Sequence, residues 1–246
     1  MSLRHESHAF SLAGKTILVT GASSGLGRQT AISCSRMGAQ LVISGRSEER
    51  LQETFAALEG AGHDAIRADL TIAHERDALV ARMPPLHGVV HAAGVQRLSP
   101  IKMLSETLLR EVFDINFVAP VMLTQRLLYH AILVPASSIV FITSISARAG
   151  TAGVGPYAAS KAALHGMMRC LALEQAKRRV RVNCVVPSAV ETPLWDDRLL
   201  AQAARHPLGV GTADDVANAT IYLLADASRW ITGTELVMDG GAVAVS

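Results

Sequence analysis

Residues 15–27 read KTILVTGASSGLG, and their reading decides the fold. Lys15–Thr20 is a short apolar, β-branched run of the kind that forms a buried strand. The glycine-rich turn Gly21–Gly27 follows, then a helix to about Met37 that Gly38 ends. Glycines at 21, 25 and 27 let such a turn tighten and let its backbone approach a pyrophosphate. The helix N-terminus then offers N–H donors and positive potential to the anion. Gly21, Ser23, Ser24, Gly25, Leu26 and Gly27 are therefore the candidate dinucleotide contacts of this turn.

Outward from it, strands and helices alternate. Further strands are expected at 41–44, 65–68, 88–91, 138–143, 181–186 and 235–238. Helices are expected at 47–58, 74–82, 105–131, 156–178 and 213–225. The strands are apolar throughout, as in a parallel sheet covered on both faces. Right-handed crossovers make this an α/β, doubly wound parallel sheet of about seven strands, a Rossmann fold. No repeat and no Pro-rich or low-complexity linker interrupts it, so residues 1–246 are expected to form one domain.

The 246 residues carry a net charge of +2 and are half apolar. That balance gives no reason to expect nucleic acid or an anionic membrane as partner. The tightest basic cluster, Lys177, Arg178, Arg179 and Arg181, falls where a helix should end and reads as a solvated terminus. Three cysteines show no metal-ligand spacing, so no metal is expected and buried free thiols are. The start, MSLRHESHAF, lacks the apolar core of a signal peptide. No run approaches the ~20 apolar residues of a membrane span. A soluble, cytoplasmic protein is the expectation.

The end of the second strand selects the cofactor. A free ribose hydroxyl is usually met there by a carboxylate. Here the sequence is ISGRSEER: Gly45 stands in that place and Arg46 follows. A guanidinium suits a 2′-phosphate, which favours NADP(H), with NAD(H) the lesser alternative. Asp69 and Leu70 end the third strand, within reach of an adenine. Tyr157 and Lys161, in GPYAASKAAL, are four residues apart and share one face of a helix opened by Pro156. An ammonium held ~4 Å from the phenol would favour the phenolate by roughly 4 kcal/mol at an effective dielectric of about 20.

TGASSGLG, Asp69, AAG at 92–94, Asn116, Ser144, YAASK at 157–161, the stretch 183–192 and MDGG near the end together resemble the short-chain dehydrogenase/reductase family, over nearly the whole chain. The resemblance implies a carbonyl reductase or alcohol dehydrogenase acting on a small-molecule substrate, with a non-catalytic dinucleotide-binding regulator or scaffold as the alternative. It implies Tyr157 as general acid or base, and Lys161 as the group that lowers its pKa and binds the nicotinamide ribose. Ser144, thirteen residues earlier, would polarise the substrate carbonyl, and Asn116 would hold a water linking Lys161 to solvent. Ala92, Ala93, Gly94, Pro187, Val190 and Thr192 would line the cofactor. A small substrate lid is implied around residues 193–210.

Two departures stand out. His91 replaces the usual asparagine before AAG, so its sheet-bracing role is expected to survive only in part. Ser188 replaces the glycine after Pro187. Gln96, Leu98, Val154, Trp195 and Leu199 are candidate pocket walls, and Arg148 reads either as a plain surface arginine or as a contact for an anionic substrate. Excess apolar residues on the two long helices, among them Leu108, Val112, Phe113, Leu164, Met168 and Leu171, point to a homo-oligomer, a tetramer or otherwise a dimer.

Overall fold

The computed structural model describes residues 9–191 and 204–243. In chain order the main elements are β1 (Thr16–Thr20), α1 (Gly25–Arg36), β2 (Gln40–Gly45), α2 (Glu48–Ala56), β3 (Asp64–Arg67), α3 (Ala73–Ala81), β4 (Leu86–His91), α4 (Glu106–Phe113), α5 (Ala119–Tyr129), β5 (Leu133–Ile142), α6 (Gly155–Gln175), β6 (Arg181–Pro187), α7 (Ala213–Leu224) and β7 (Glu235–Met238). The strands form one sheet in the order β3-β2-β1-β4-β5-β6-β7, and every neighbouring pair is parallel. The chain steps outward from β1 to β3, then returns to the other side of β1 with β4. That reversal opens a crevice beyond the C-terminal ends of β1 and β4, where doubly wound sheets bind ligands.

Strand alternation splits the core into two layers. Leu18, Val89 and Phe141 face Leu123 and Leu127 of α5 and Leu164 and Met168 of α6. Ile17, Val19, Val90 and Val140 face Ala31 and Cys34 of α1, Leu51 of α2, and Val216 and Leu224 of α7. The inner strands β1, β2, β4 and β6 thus bury both faces, which is why their sequences are largely apolar, whereas the edge strands β3 and β7 are only partly buried. Caps set the helix starts where the sequence places them. Ser47 accepts from Arg50 N, Ser105 from Leu108 N, and Thr212 forms a capping box with Asp215.

Four expectations are corrected. The helix expected over 105–131 is broken by a π-turn at Asp114–Val118 between α4 and α5. Strand β5 begins at Leu133, earlier than expected, with a register shift opposite Leu86–Gly88 and Ala136 at φ +65°. Arg181 is not a solvated terminal cation. It is buried, and its guanidinium donates to Leu223 O at 2.7 Å and Ser228 Oγ at 2.7 Å, capping the C-terminal carbonyls of α7. Cys170 is exposed, whereas Cys34 and Cys184 are buried and burial pushes both thiols up, Cys34 to about 12.

Of the apolar residues expected at an interface, Val112, Leu164, Met168 and Leu171 are buried within the chain itself. Leu164, Met168 and Leu171 pack with the strand residues in one core layer, covering the sheet as a parallel sheet requires. Strongly exposed apolar side chains on or beside these helices are Ile101, Met103, Tyr129 and Leu173, and Trp230 is exposed further along the chain. Among the described residues, no helix is long and apolar enough to cross a membrane.

Candidate active site

The crevice at the β1/β4 reversal is a cleft of about 490 Å³, within the usual range of small-molecule sites. Its floor is the glycine turn. Gly21 has φ +67°, and a Cβ there would lie 2.6 Å from Ala93 N and Cα. A Cβ on Gly27 would lie 2.4 Å from Gly21 O. The turn therefore packs directly against the AAG segment and against the first turn of α1. Gly25, at φ +53°, has open space where its Cβ would be. These bare positions fit the close approach of a pyrophosphate to backbone N–H groups.

Fourteen expected cofactor contacts line this cleft: Gly21, Ser23, Ser24, Gly25, Leu26, Gly27, Arg46, Asp69, Leu70, Ala92, Ala93, Gly94, Tyr157 and Lys161. Gln96 lines it as well. Pro187 and Val190 do not. Pro187 pairs with Met238 on β7, and Val190 bridges to Gly211. Thr192, Trp195, Leu199 and most of the lid around 193–210 lie outside the described residues. Val154 is buried at the N-cap of α6 and does not reach the cleft. Arg148 does not line the cleft; it is an exposed arginine paired with Glu235 at 2.7 Å.

Residues not singled out from the sequence also line the cleft, notably Ser44, Ser47, Arg50 and Thr143. Arg50 was legible in principle, because SEER puts it one turn into α2, beside Arg46. At the opposite wall, burial works to raise the Asp69 carboxyl. Hydrogen bonds from Thr71 N at 2.9 Å and Thr71 Oγ1 at 2.7 Å outweigh it, with Arg46 and Arg67 adding to them, and hold it below the ordinary range.

Helix α6 brings Tyr157 and Lys161 to one end of the cleft, next to the C-terminal end of β5. Burial pushes the Tyr157 phenol up, and a hydrogen bond with Ser144 works against that. Ser144 Oγ also accepts from Ser146 N at 3.2 Å, so one hydroxyl organises both the loop and the tyrosine. Lys161 is buried and pushed down to about 8 by loss of solvation. Its Nζ donates to Ile142 O at 2.9 Å and lies 5.8 Å from the Tyr157 ring centroid. The spacing led to a lowered phenol; the structure has burial raising it instead, and the Lys161 ammonium donates to the Ile142 carbonyl.

Asn116 sits in the π-turn, fully buried. Its Oδ1 accepts from Val95 N at 2.8 Å, and its Nδ2 donates to Val95 O at 2.9 Å and Ser160 Oγ at 3.0 Å. The side chain braces the β4 exit loop against α6. A Cβ on Gly94 would lie 3.2 Å from Lys161 Nζ and 3.3 Å from Asn116 Oδ1, so these groups would have to shift slightly to admit a side chain there.

The two sequence departures have local solutions. Thr124 Oγ1 donates to Pro120 O, so the 2.8 Å contact with His91 is a donation from His91 Nε2. The ring stacks on Phe141, with centroids 4.9 Å apart, and burial pushes it down to about 3, which keeps it neutral. His91 thus braces β4 against α5. Ser188 Oγ meets His206 Nε2 at 2.8 Å and its N–H donates to Met238 O, so the added Cβ arm holds the residues that follow the undescribed stretch.

The profile of the family described as Enoyl-(Acyl carrier protein) reductase matches residues 21–243. The chain is 31% identical to human Dehydrogenase/reductase SDR family member 4 over 94% of this chain and 88% of that protein. The chain belongs to the short-chain dehydrogenase/reductase family. It is also similar to the 3-oxoacyl-[acyl-carrier-protein] reductase of Chlamydia pneumoniae, 32% identical over 94% of this chain and 97% of that one. A solved Beutenbergia cavernae structure, described as an NAD(P)-dependent gluconate 5-dehydrogenase with NADP bound at low occupancy, is 33% identical. It covers 96% of this chain and 100% of that chain with a TM-score of 0.87. As a short-chain dehydrogenase/reductase, the protein is an NAD(P)H-dependent oxidoreductase acting by hydride transfer on carbonyl or alcohol substrates.

Proposed function

We propose that this short-chain dehydrogenase/reductase uses NADP(H), with Tyr157 as general acid in carbonyl reduction and as base in the reverse direction. The observation that carries the cofactor choice is at the end of β2. Arg46 and Arg50 line the same cleft as the glycine turn, and Gly45 holds the place of an acid. A Cβ at Gly45 would lie 3.0 Å from Ser23 Oγ, so a larger side chain there needs Ser23 to give way. Two guanidinium groups at that corner suit a 2′-phosphate, and β2 carries no carboxylate that would repel it.

When bound, the nicotinamide cofactor supplies or accepts the hydride. The chain's own residues do the rest. The glycine turn and the N-terminus of α1 hold the pyrophosphate. Asp69 and Leu70 meet the adenine, and Ala92–Gly94 and Lys161 border the nicotinamide half. Ser144 orients and polarises the substrate oxygen. Burial keeps the Tyr157 phenol protonated, hence able to donate during reduction. Asn116 holds the wall beside Lys161, and its Oδ1 has a second lone pair through which a relay to solvent would pass. Pro187, Val190 and Thr192 are proposed to face the cofactor amide, residues 193–210 to cover the substrate, and the whole chain to act as one domain.

NADPH is expected to bind at least tenfold tighter than NADH, a difference of about 1.4 kcal/mol, and Arg46→Ala to remove most of that preference. Fluorescence titration with both reduced cofactors checks it. Equal affinities in the unaltered protein would end the assignment of Arg46. A symmetric tetramer, or otherwise a dimer, is the proposed assembly, with exposed Leu173 and Trp230 in its contacts; light scattering that finds a monomer at micromolar concentration counts against it.

A further inference from the structure

One turn beyond Lys161 on α6, and on the same face as Tyr157, lies His165. It is buried, at 6% exposure. Its Nδ1 lies 3.0 Å from Glu235 Oε2 on β7, and its Nε2 lies 2.9 Å from Thr143 Oγ1 at the end of β5. Glu235 is itself held by two exposed arginines, Arg148 at 2.7 Å and Arg169 at 2.8 Å. Thr143 lines the cleft and immediately precedes Ser144. A continuous chain of polar contacts therefore runs from the surface of the protein to the wall of the active site.

We propose that His165 is a positioning residue for the reaction: anchored by Glu235, it holds the Thr143 hydroxyl and so fixes the strand end that presents Ser144. This rests on the catalytic reading of Ser144 and Tyr157 given above. The proton inventory supports it. An ionised carboxylate only accepts, so Nδ1 carries the hydrogen shared with Glu235. The Thr143 hydroxyl has one proton and two acceptors within reach when the ring is neutral: Val185 O at 3.1 Å, to which it donates in the structure, and the bare Nε2 at the shorter 2.9 Å. Val185 O already accepts Thr143 N–H at 2.8 Å, so the neutral ring draws the hydroxyl towards Nε2. When the ring gains a proton, Nε2 becomes a donor to Thr143 Oγ1, and the hydroxyl is left to Val185 O alone. Thr143 is β-branched, so fixing Oγ1 also fixes its Cβ and backbone, and Ser144 is the next residue.

The groups around the ring set the pH at which this exchange occurs. Burial lowers the affinity of His165 for a proton, Glu235 raises it, and Arg148, Arg169 and Lys161 lower it, with a net shift below the ordinary histidine range. The Cys184 thiol, on β6 opposite Glu235, stays protonated. His165 is thus neutral at pH 7 with the hydroxyl turned towards it, and the alternative arrangement belongs to acid pH.

The test compares His165→Leu, Thr143→Val, the double variant and His165→Gln, with acetoacetyl-N-acetylcysteamine and 5-keto-D-gluconate as probe substrates. His165→Leu and Thr143→Val are each expected to lower kcat about tenfold, as misplacement of a reacting group does. KM and the Kd for NADPH should stay within about twofold, and the double variant should be no worse than either single one. His165→Gln, whose amide oxygen can accept from Thr143, should recover most of kcat at pH 7 and lose the acid limb of the pH profile. In parallel, ¹⁵N NMR of the imidazoles, with His165 assigned by its absence in His165→Gln, should show the Nδ1–H tautomer at pH 7. An Nε2–H tautomer, or a kcat unchanged by His165→Leu in a protein that turns over a probe, overturns the proposal. A loss of melting temperature with an unaltered pH profile does so too. The tautomer is read whether or not a probe is turned over, so failure of the brace and failure of the catalytic reading give different results.

Discussion

Tyr157→Phe is expected to lose turnover by at least about 100-fold, the usual scale for a general acid, while binding NADPH as the unaltered protein does. The phenol lies at the end of the cleft that holds the glycine turn, and Ser144 is its hydrogen-bonding partner. Phenylalanine keeps the ring and its packing and removes only the hydroxyl, so the fold and the cofactor corner remain. The loss should fall on kcat more than on KM, because a proton is moved in the transition state and not in the ground state. Steady-state rates and a fluorescence titration of the same sample separate the two effects. A near-normal rate would remove Tyr157 from the chemistry.

Gly21→Ala is expected to damage both stability and cofactor binding. The residue has φ +67°, where a side chain costs roughly 1–2 kcal/mol. The new Cβ would also lie 2.6 Å from Ala93 N and Cα and 2.8 Å from Ala92 C. These are backbone atoms at the exit of β4 and cannot rotate aside, so overpacking adds about 1–3 kcal/mol. The strand must move away from the turn, and both line the cleft, so NADPH affinity should fall at least about tenfold. Gly14→Ala is the control. Its φ is +76°, nothing lies within 4 Å of its Cβ position, and it is remote from the cleft. It should show the backbone cost alone, with cofactor affinity unchanged. Thermal unfolding and NADPH titration of both variants check this; equal losses at the two positions would mean that contact with Ala93 is unimportant.

Much of this architecture was legible because local signals agreed with the global fold. The run KTILVT, the glycine turn and the cap serines Ser47 and Ser105 each carry their own physical cause. The turn that floors the cleft was legible because backbone chemistry selects it: Gly21, at φ +67° and with a Cβ position 2.6 Å from Ala93 backbone, suits only glycine. What stayed hidden depends on long-range partners. Nothing in the spacing of Tyr157 and Lys161 shows that Ile142 O will claim the lysine. Arg181 reads as one of a basic cluster until α7 arrives to be capped. Arg148 reads as a surface or substrate arginine until β7 places Glu235 beside it. His165 completes a Tyr–Lys–His face at four-residue spacing that the sequence displays, yet its meaning depends on Thr143 and Glu235, 22 and 70 residues away along the chain. The π-turn at Asn116 has no pattern in DINFV that announces it.

The central claim, hydride transfer from NADP(H) assisted by Tyr157, is tested most directly with NADPH carrying deuterium at C4 on the transferred face. The unaltered protein and Tyr157→Phe would be incubated with a panel of keto acids, keto sugars and 3-oxoacyl thioesters, and the alcohol products weighed by mass spectrometry. The expected result is one deuterium in the product of at least one class, formed by the unaltered protein and at least about 100-fold more slowly by Tyr157→Phe. Deuterium transfer at equal rates by both proteins, or none to any class by a protein that binds NADPH, would contradict the account.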